Sequence, residues 1–208
     1  MVAPQSVAVL GALLAADAAS FARAALLLFC LCMFLVACLL YIVIITLIIY
    51  RFTFFRFTSV QLAPPYWINM GAVAITTLAG ANLILAAPLW PFLGQMAPFL
   101  RGFTLLFWAV ATWWIPLLVV LGVWRHGIKR LRLGYDPQYW GLVFPLGMYT
   151  TCTIRLAAAL DLPFLIDLAG MFIFAALAAW ALAFAGLALH LIRPRGDTLS
   201  TRPDPARP

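Results

Sequence analysis

Four residues of one apolar stretch share a helical face and together could serve a negatively charged species. Phe144, Gly147, Thr151 and Arg155 stand at i, i+3, i+7 and i+11, spacings that align along one side of an α-helix. At the α-helical rise the stripe runs about 16 Å, from a bulky aromatic through a glycine and a hydroxyl to a cation. Hydroxyls solvate an anion without a closed cage, and a fixed positive charge raises its local concentration. An arginine within an apolar stretch is itself a reason to look for a pathway. Pro145 directly follows Phe144. It costs one backbone hydrogen bond and bends the helix, which gives the aromatic a hinge on which to swing. Each type also has a plainer role: Phe144 against lipid, Gly147 for close helix approach, Arg155 reaching the interface.

The elements that would position this stripe are membrane spans. Of the 208 residues, 66% are hydrophobic and 9% charged, too few polar side chains to coat a water-soluble fold. Five apolar runs are long enough to cross a bilayer: 24–50, 67–87, 103–124, 139–160 and 162–192. A shorter run, 2–16, stops at Asp17 and is expected to be half a helix. Punctuation comes from Pro64 and Pro65, from Pro88 and Pro91, from the basic stretch 125–132 and from Asp161-Leu162-Pro163. The reading is a membrane domain over 1–192 with a disordered tail over 193–208, rich in Pro and Arg. Runs 67–87 and 139–160 carry Asn, Thr and Gly, whereas 24–50 and 162–192 are almost wholly apolar. Polar groups at membrane depth face protein or water. Two inner helices therefore alternate with three outer ones, and Thr76 and Gly80 of the first inner helix join Gly147, Thr151 and Arg155 as expected pathway residues.

Charge placement sets the expected orientation. Of 13 basic residues, Arg51, Arg56, the four within 125–132 and the four in the tail alternate onto one side. Arg23 and Arg101, with Asp17, Asp161 and Asp167, are left for the other. The positive-inside rule puts the tail in the cytoplasm of a bacterial-type inner membrane. Basic clusters between apolar runs are topology signals, so the net charge of +7 is not a nucleic-acid footprint. Without Glu, paired carboxylates, a histidine cluster or a nucleophile elbow, an intramembrane enzyme has no support. Cys30, Cys32, Cys38 and Cys152 read as packing residues, and neither metal nor cofactor is expected.

The run Trp140-Gly-Leu-Val-Phe144-Pro145-Leu-Gly-Met-Tyr-Thr-Thr-Cys-Thr-Ile-Arg155 resembles the ninth helix of the tellurite-resistance/C4-dicarboxylate transporter family, which is related to the plant slow anion channels. Also similar are Tyr66 to Gly80, Trp113-Trp114-Ile-Pro116 and Ser6 to Gly11, so the resemblance covers almost the whole chain. It implies an all-α, ten-helix protomer of five helical hairpins, with odd-numbered helices around a pore and even-numbered ones outside, assembled as a homotrimer. It implies that Phe144 plugs the pore. It also places the start of this chain within the fifth helix, so the chain is expected to be the C-terminal part of that fold. The expected function is anion transport, by a channel or a carrier, of small anions, C4-dicarboxylates or tellurite-type oxyanions. A proton-coupled carrier is the first alternative, although Asp17, Asp136, Asp161 and Asp167 all read as loop residues. A non-transporting fragment or assembly subunit is the second.

Overall fold

The computed structural model describes residues 1–55, 67–123 and 137–192, and these form six α-helices with no strand among the described residues. They are α1 (Val2–Leu14), α2 (Ser20–Phe54), α3 (Trp67–Ala86), α4 (Pro91–Val123), α5 (Trp140–Leu160) and α6 (Phe164–Ile192). Long apolar runs become helices because lipid offers backbone N–H and C=O groups no partner, so each segment bonds internally. Five of the helices are long and apolar enough to cross a membrane, and the 13-residue α1 is not. The basic stretch 125–132, Asp136, His126 and the tail 193–208 lie outside the described residues.

Two boundaries differ from expectation. α4 begins at Pro91 and runs 33 residues through Pro98 and Pro116. Proline fits the first helical turn, where the missing N–H has no intrahelical partner, and the interior prolines interrupt single bonds without ending the helix. Arg101 is therefore an exposed residue inside α4, not a loop residue. Asp167 likewise falls in the first turn of α6, where its charge suits the positive end of the helix dipole.

The short connections follow α1, α3 and α5, so the chain folds as three hairpins. Arg23 closes the first: its Nε donates to Ala15 O at 3.0 Å and its Nη2 to Ala18 O at 2.9 Å. Ala15 caps the end of α1 and Ala18 lies in the connection to α2; neither carbonyl has an intrahelical N–H, and the guanidinium supplies donors. A 3-10 turn over Ala87–Leu89 closes the second. In the third, Asp161 sits in the left-handed region (φ 57°, ψ 49°) and the Leu162 N–H reaches back to Ala157 O at 2.9 Å. That geometry satisfies the last carbonyls of α5 and turns the chain into α6.

α3 is the centre. It packs against α5, α4, α1 and α2, whereas α6 packs on α5. The expected alternation thus holds in burial: 83% and 50% of the spans of α3 and α5 are buried, against 33%, 28% and 6% for α2, α4 and α6, and α1 packs on α2 and α3. Close approach between these helices depends on small residues. A Cβ at Gly11 of α1 would collide with Cys30 Sγ of α2, and one at Gly71 of α3 would lie 3.1 Å from the Pro145 ring of α5. All four cysteines are free thiols, with Cys30, Cys38 and Cys152 buried in helix packing.

Candidate anion pathway on the fifth helix

α5 is covered on three sides and open on the fourth. α3 holds one flank through Gly71 against Pro145 near the start of α5, and through Asn82 against Arg155 near its end. The two contacts run in the same order along both helices, so α3 and α5 are parallel. α6 holds the opposite flank, where Phe172 meets the Tyr149 ring at 4.7 Å. α4 lies behind, and its Trp108 stacks on Tyr149 at 6.4 Å. On the remaining face Phe144 is 51% exposed, Thr151 is exposed, and a Cβ at Gly147 would meet nothing within 4 Å. Phe144, Gly147, Thr151 and Arg155 span about 80° of the helix circumference. The structure brings these four together on one uncovered strip.

Within the strip the hydroxyl of Thr151 donates to Gly147 O at 3.0 Å, so its oxygen lone pairs stay on the open side. Arg155 is half-buried. Its Nε donates to Asn82 Oδ1 at 2.9 Å across 73 positions of sequence. Asn82 is 3% exposed, so the carboxamide is a fixed anchor. Because Asn82 is neutral, the bond orients the guanidinium without cancelling its charge. Pro145 turns inward against α3 while its neighbour Phe144 points out, so the kink and the exposed ring occupy different sides of α5.

Thr76 and Gly80 do not share this strip. Thr76 is fully buried, with its hydroxyl returned to Ala72 O at 2.9 Å. Gly80 is buried against α4, where a Cβ would collide with Thr104 Oγ1. The physical reason is position: α3 has neighbours on all sides, so its small and hydroxylated residues serve close packing. Gly147 is the reverse case, a glycine on which no neighbouring helix closes.

Two features escaped the reading of spacing alone. One is the Asn82–Arg155 bond, whose signal was an asparagine in a neighbouring span at the height of the arginine. The other is a pair of hydrogen bonds between α4 and α5: Trp108 Nε1 to Thr153 Oγ1 at 3.0 Å, and Thr112 with Tyr149 Oη at 2.8 Å. Their signal was an aromatic followed four residues later by threonine, present in both helices.

Known proteins resemble this chain at the same level. A family model described as voltage-dependent anion channel matches residues 1–188. An uncharacterized membrane protein of Mycobacterium tuberculosis (strain ATCC 25618 / H37Rv) is 39% identical over 131 residues, 63% of this chain and 66% of that protein. An uncharacterized transporter of Methanocaldococcus jannaschii is 30% identical over 92 residues, 44% of this chain and 25% of that protein. A second transporter of that organism is 31% identical over 88 residues, 42% of this chain and 24% of its own length. The chain thus matches just under two thirds of the mycobacterial protein and about a quarter of the archaeal ones. No solved structure matches it. With the family model extending over nearly the whole sequence, the chain belongs to the voltage-dependent anion channel family.

Proposed function

We propose that the open strip of α5 is one wall of a transmembrane anion pathway, with Phe144 as its plug and Arg155 toward its outer mouth. The observation that carries the reading is the coincidence on one uncovered face of an exposed aromatic, an unobstructed glycine, an exposed hydroxyl and an anchored cation. A lipid-facing strip needs none of the last three. Membership of an anion channel family and relatives named as transporters support the same reading. Passage of the anion is driven by its electrochemical gradient, with the threonine hydroxyl and the arginine replacing part of its hydration shell. Small anions, C4-dicarboxylates and tellurite-type oxyanions all fall within this reading. The tail and the basic connections face the cytoplasm by the positive-inside rule, and the assembly is a homotrimer in an inner membrane.

The test is reconstitution of the full-length protein in planar bilayers or liposomes. Phe144→Ala should raise anion conductance several-fold with little change in cation leak. Currents equal to those of the parent would remove Phe144 from the gate. Uptake of labelled malate that follows an imposed pH gradient would replace the channel by a proton-coupled carrier.

A further inference from the structure

We infer that a reciprocal clasp between α4 and α5 sets the rotation of α5 and thereby which residues the strip presents. The inference rests on the reading of that strip as a pathway wall. Thr112 gives its one hydroxyl proton to Trp108 O at 2.9 Å. In the 2.8 Å contact with Tyr149 the phenol is therefore the donor. Thr153 gives its proton to Tyr149 O at 2.7 Å, and Trp108 Nε1 donates to Thr153 Oγ1 at 3.0 Å. Each helix thus offers an aromatic donor to a threonine of the other, and each threonine returns its own proton to the backbone of the aromatic one turn before it. The two arms are equivalent and run in opposite directions, as antiparallel helices require. Every hydroxyl proton and the indole proton are used, so no donor is wasted in a setting where an unmet one is costly.

The position of the clasp on α5 gives it its consequence. At 100° per residue, Tyr149 and Thr153 lie about 180° from the middle of the strip. Thr151, between them in sequence, faces the opposite way. A single hydrogen bond fixes a distance, whereas two arms one turn apart fix the helix against both rotation and sliding. α3 adds one directional bond near the end of α5, Arg155 to Asn82, and α6 meets α5 through the Phe172–Tyr149 ring contact; the two arms on α4 hold the middle of α5 from the side opposite the strip. The clasp is therefore a positioning device for Thr151 and Arg155, and none of its members touches the anion.

The experiment places a nitroxide spin label at Thr151→Cys in the full-length protein, with Cys32→Ser to remove the exposed thiol. Collision rates with oxygen and with a water-soluble nickel chelate report the medium the label meets. In the parent the label should show one dominant mobility component and a minor, rotated one. Trp108→Phe and Tyr149→Phe each remove one arm and should raise a second, rotated component about threefold, and the two together about eightfold. Thr153→Ser keeps both hydrogen bonds and should match the parent. An unchanged spectrum in the double variant would overturn the clasp as a positioning device, even if thermal stability fell. If the double variant fails to accumulate, the two single variants decide by the same criterion. A label that meets oxygen and never the chelate would refute the pathway reading instead, and the clasp would still be judged by the second component.

Discussion

A single methyl group added to the middle of α3 should weaken the whole bundle. Gly80 is buried where α3 meets α4, and a Cβ built there lies 2.9 Å from Thr104 Cγ2 and 3.0 Å from Thr104 Cβ, besides colliding with Oγ1. Turning the threonine about χ1 exchanges one of these atoms for another and leaves the Cβ contact in place, so the helices must part. Overpacking of this kind costs about 1–3 kcal/mol. Replacing glycine by alanine inside a helix returns about 0.5–1 kcal/mol. The net expectation for Gly80→Ala is a loss of about 1–2 kcal/mol, or roughly 2–8 °C in melting temperature for a chain of this size. A heating series of a fluorescent fusion in detergent, read by gel filtration, resolves such a shift. The repair is Thr104→Ala, which removes both Oγ1 and Cγ2. On its own that change should cost little, because Thr104 Oγ1 is buried without a hydrogen-bond partner. Combined with Gly80→Ala it should recover part of the lost stability, because the 3.0 Å contact to the Cβ of residue 104 remains. The control is Gly147→Ala, where a Cβ meets nothing within 4 Å and the helix gains without a clash. The reasoning fails if Gly80→Ala melts with the parent, or if Thr104→Ala recovers none of the loss.

Asn82→Asp should place a carboxylate where the Arg155 Nε now donates at 2.9 Å, cancelling the charge while keeping the contact. Anion flux into liposomes should fall about tenfold, the lower end of what a focusing charge contributes; unchanged flux would remove Arg155 as the attractor. Asp161 holds the left-handed turn between α5 and α6, so Asp161→Gly should melt at or above the parent temperature. Asp161→Val should lose about 1–2 kcal/mol in the same heating series, and a valine variant as stable as the parent would refute that cap.

The number of spans and the inner or outer character of each were legible because both depend on local composition. A run with Asn, Thr and Gly buries itself, and one made of Leu, Ala and Phe meets lipid, whatever lies elsewhere in the chain. The Phe144 to Arg155 strip was legible for a similar reason. Its four members belong to one helix, and helical geometry alone puts them on one side. Boundaries were less so: α4 runs on through Pro98 because a proline's cost is limited to one bond, and a bilayer-depth helix absorbs it.

The division between Gly80 and Gly147, or between Thr76 and Thr151, could not be read from either helix alone. Glycine and threonine serve two ends in a membrane: they let backbones approach, and they expose polar atoms to whatever passes. Which end applies depends on whether another helix occupies that face. For Gly80 the deciding atom belongs to Thr104 on α4; for Arg155 it belongs to Asn82 on α3, 73 residues away. The aromatic-threonine pairs of α4 and α5 decide the matter for α5 itself, since they turn its clasped side toward α4 and leave the other uncovered. Openness alone also describes lipid-facing α6, so support for a pathway comes from an exposed hydroxyl and an anchored cation on a face that α3, α4 and α6 leave open. The same logic separates two substitutions of equal size. A methyl at residue 80 is felt in stability, and a larger side chain at residue 147 should be felt in anion flux, with melting at or above that of the parent.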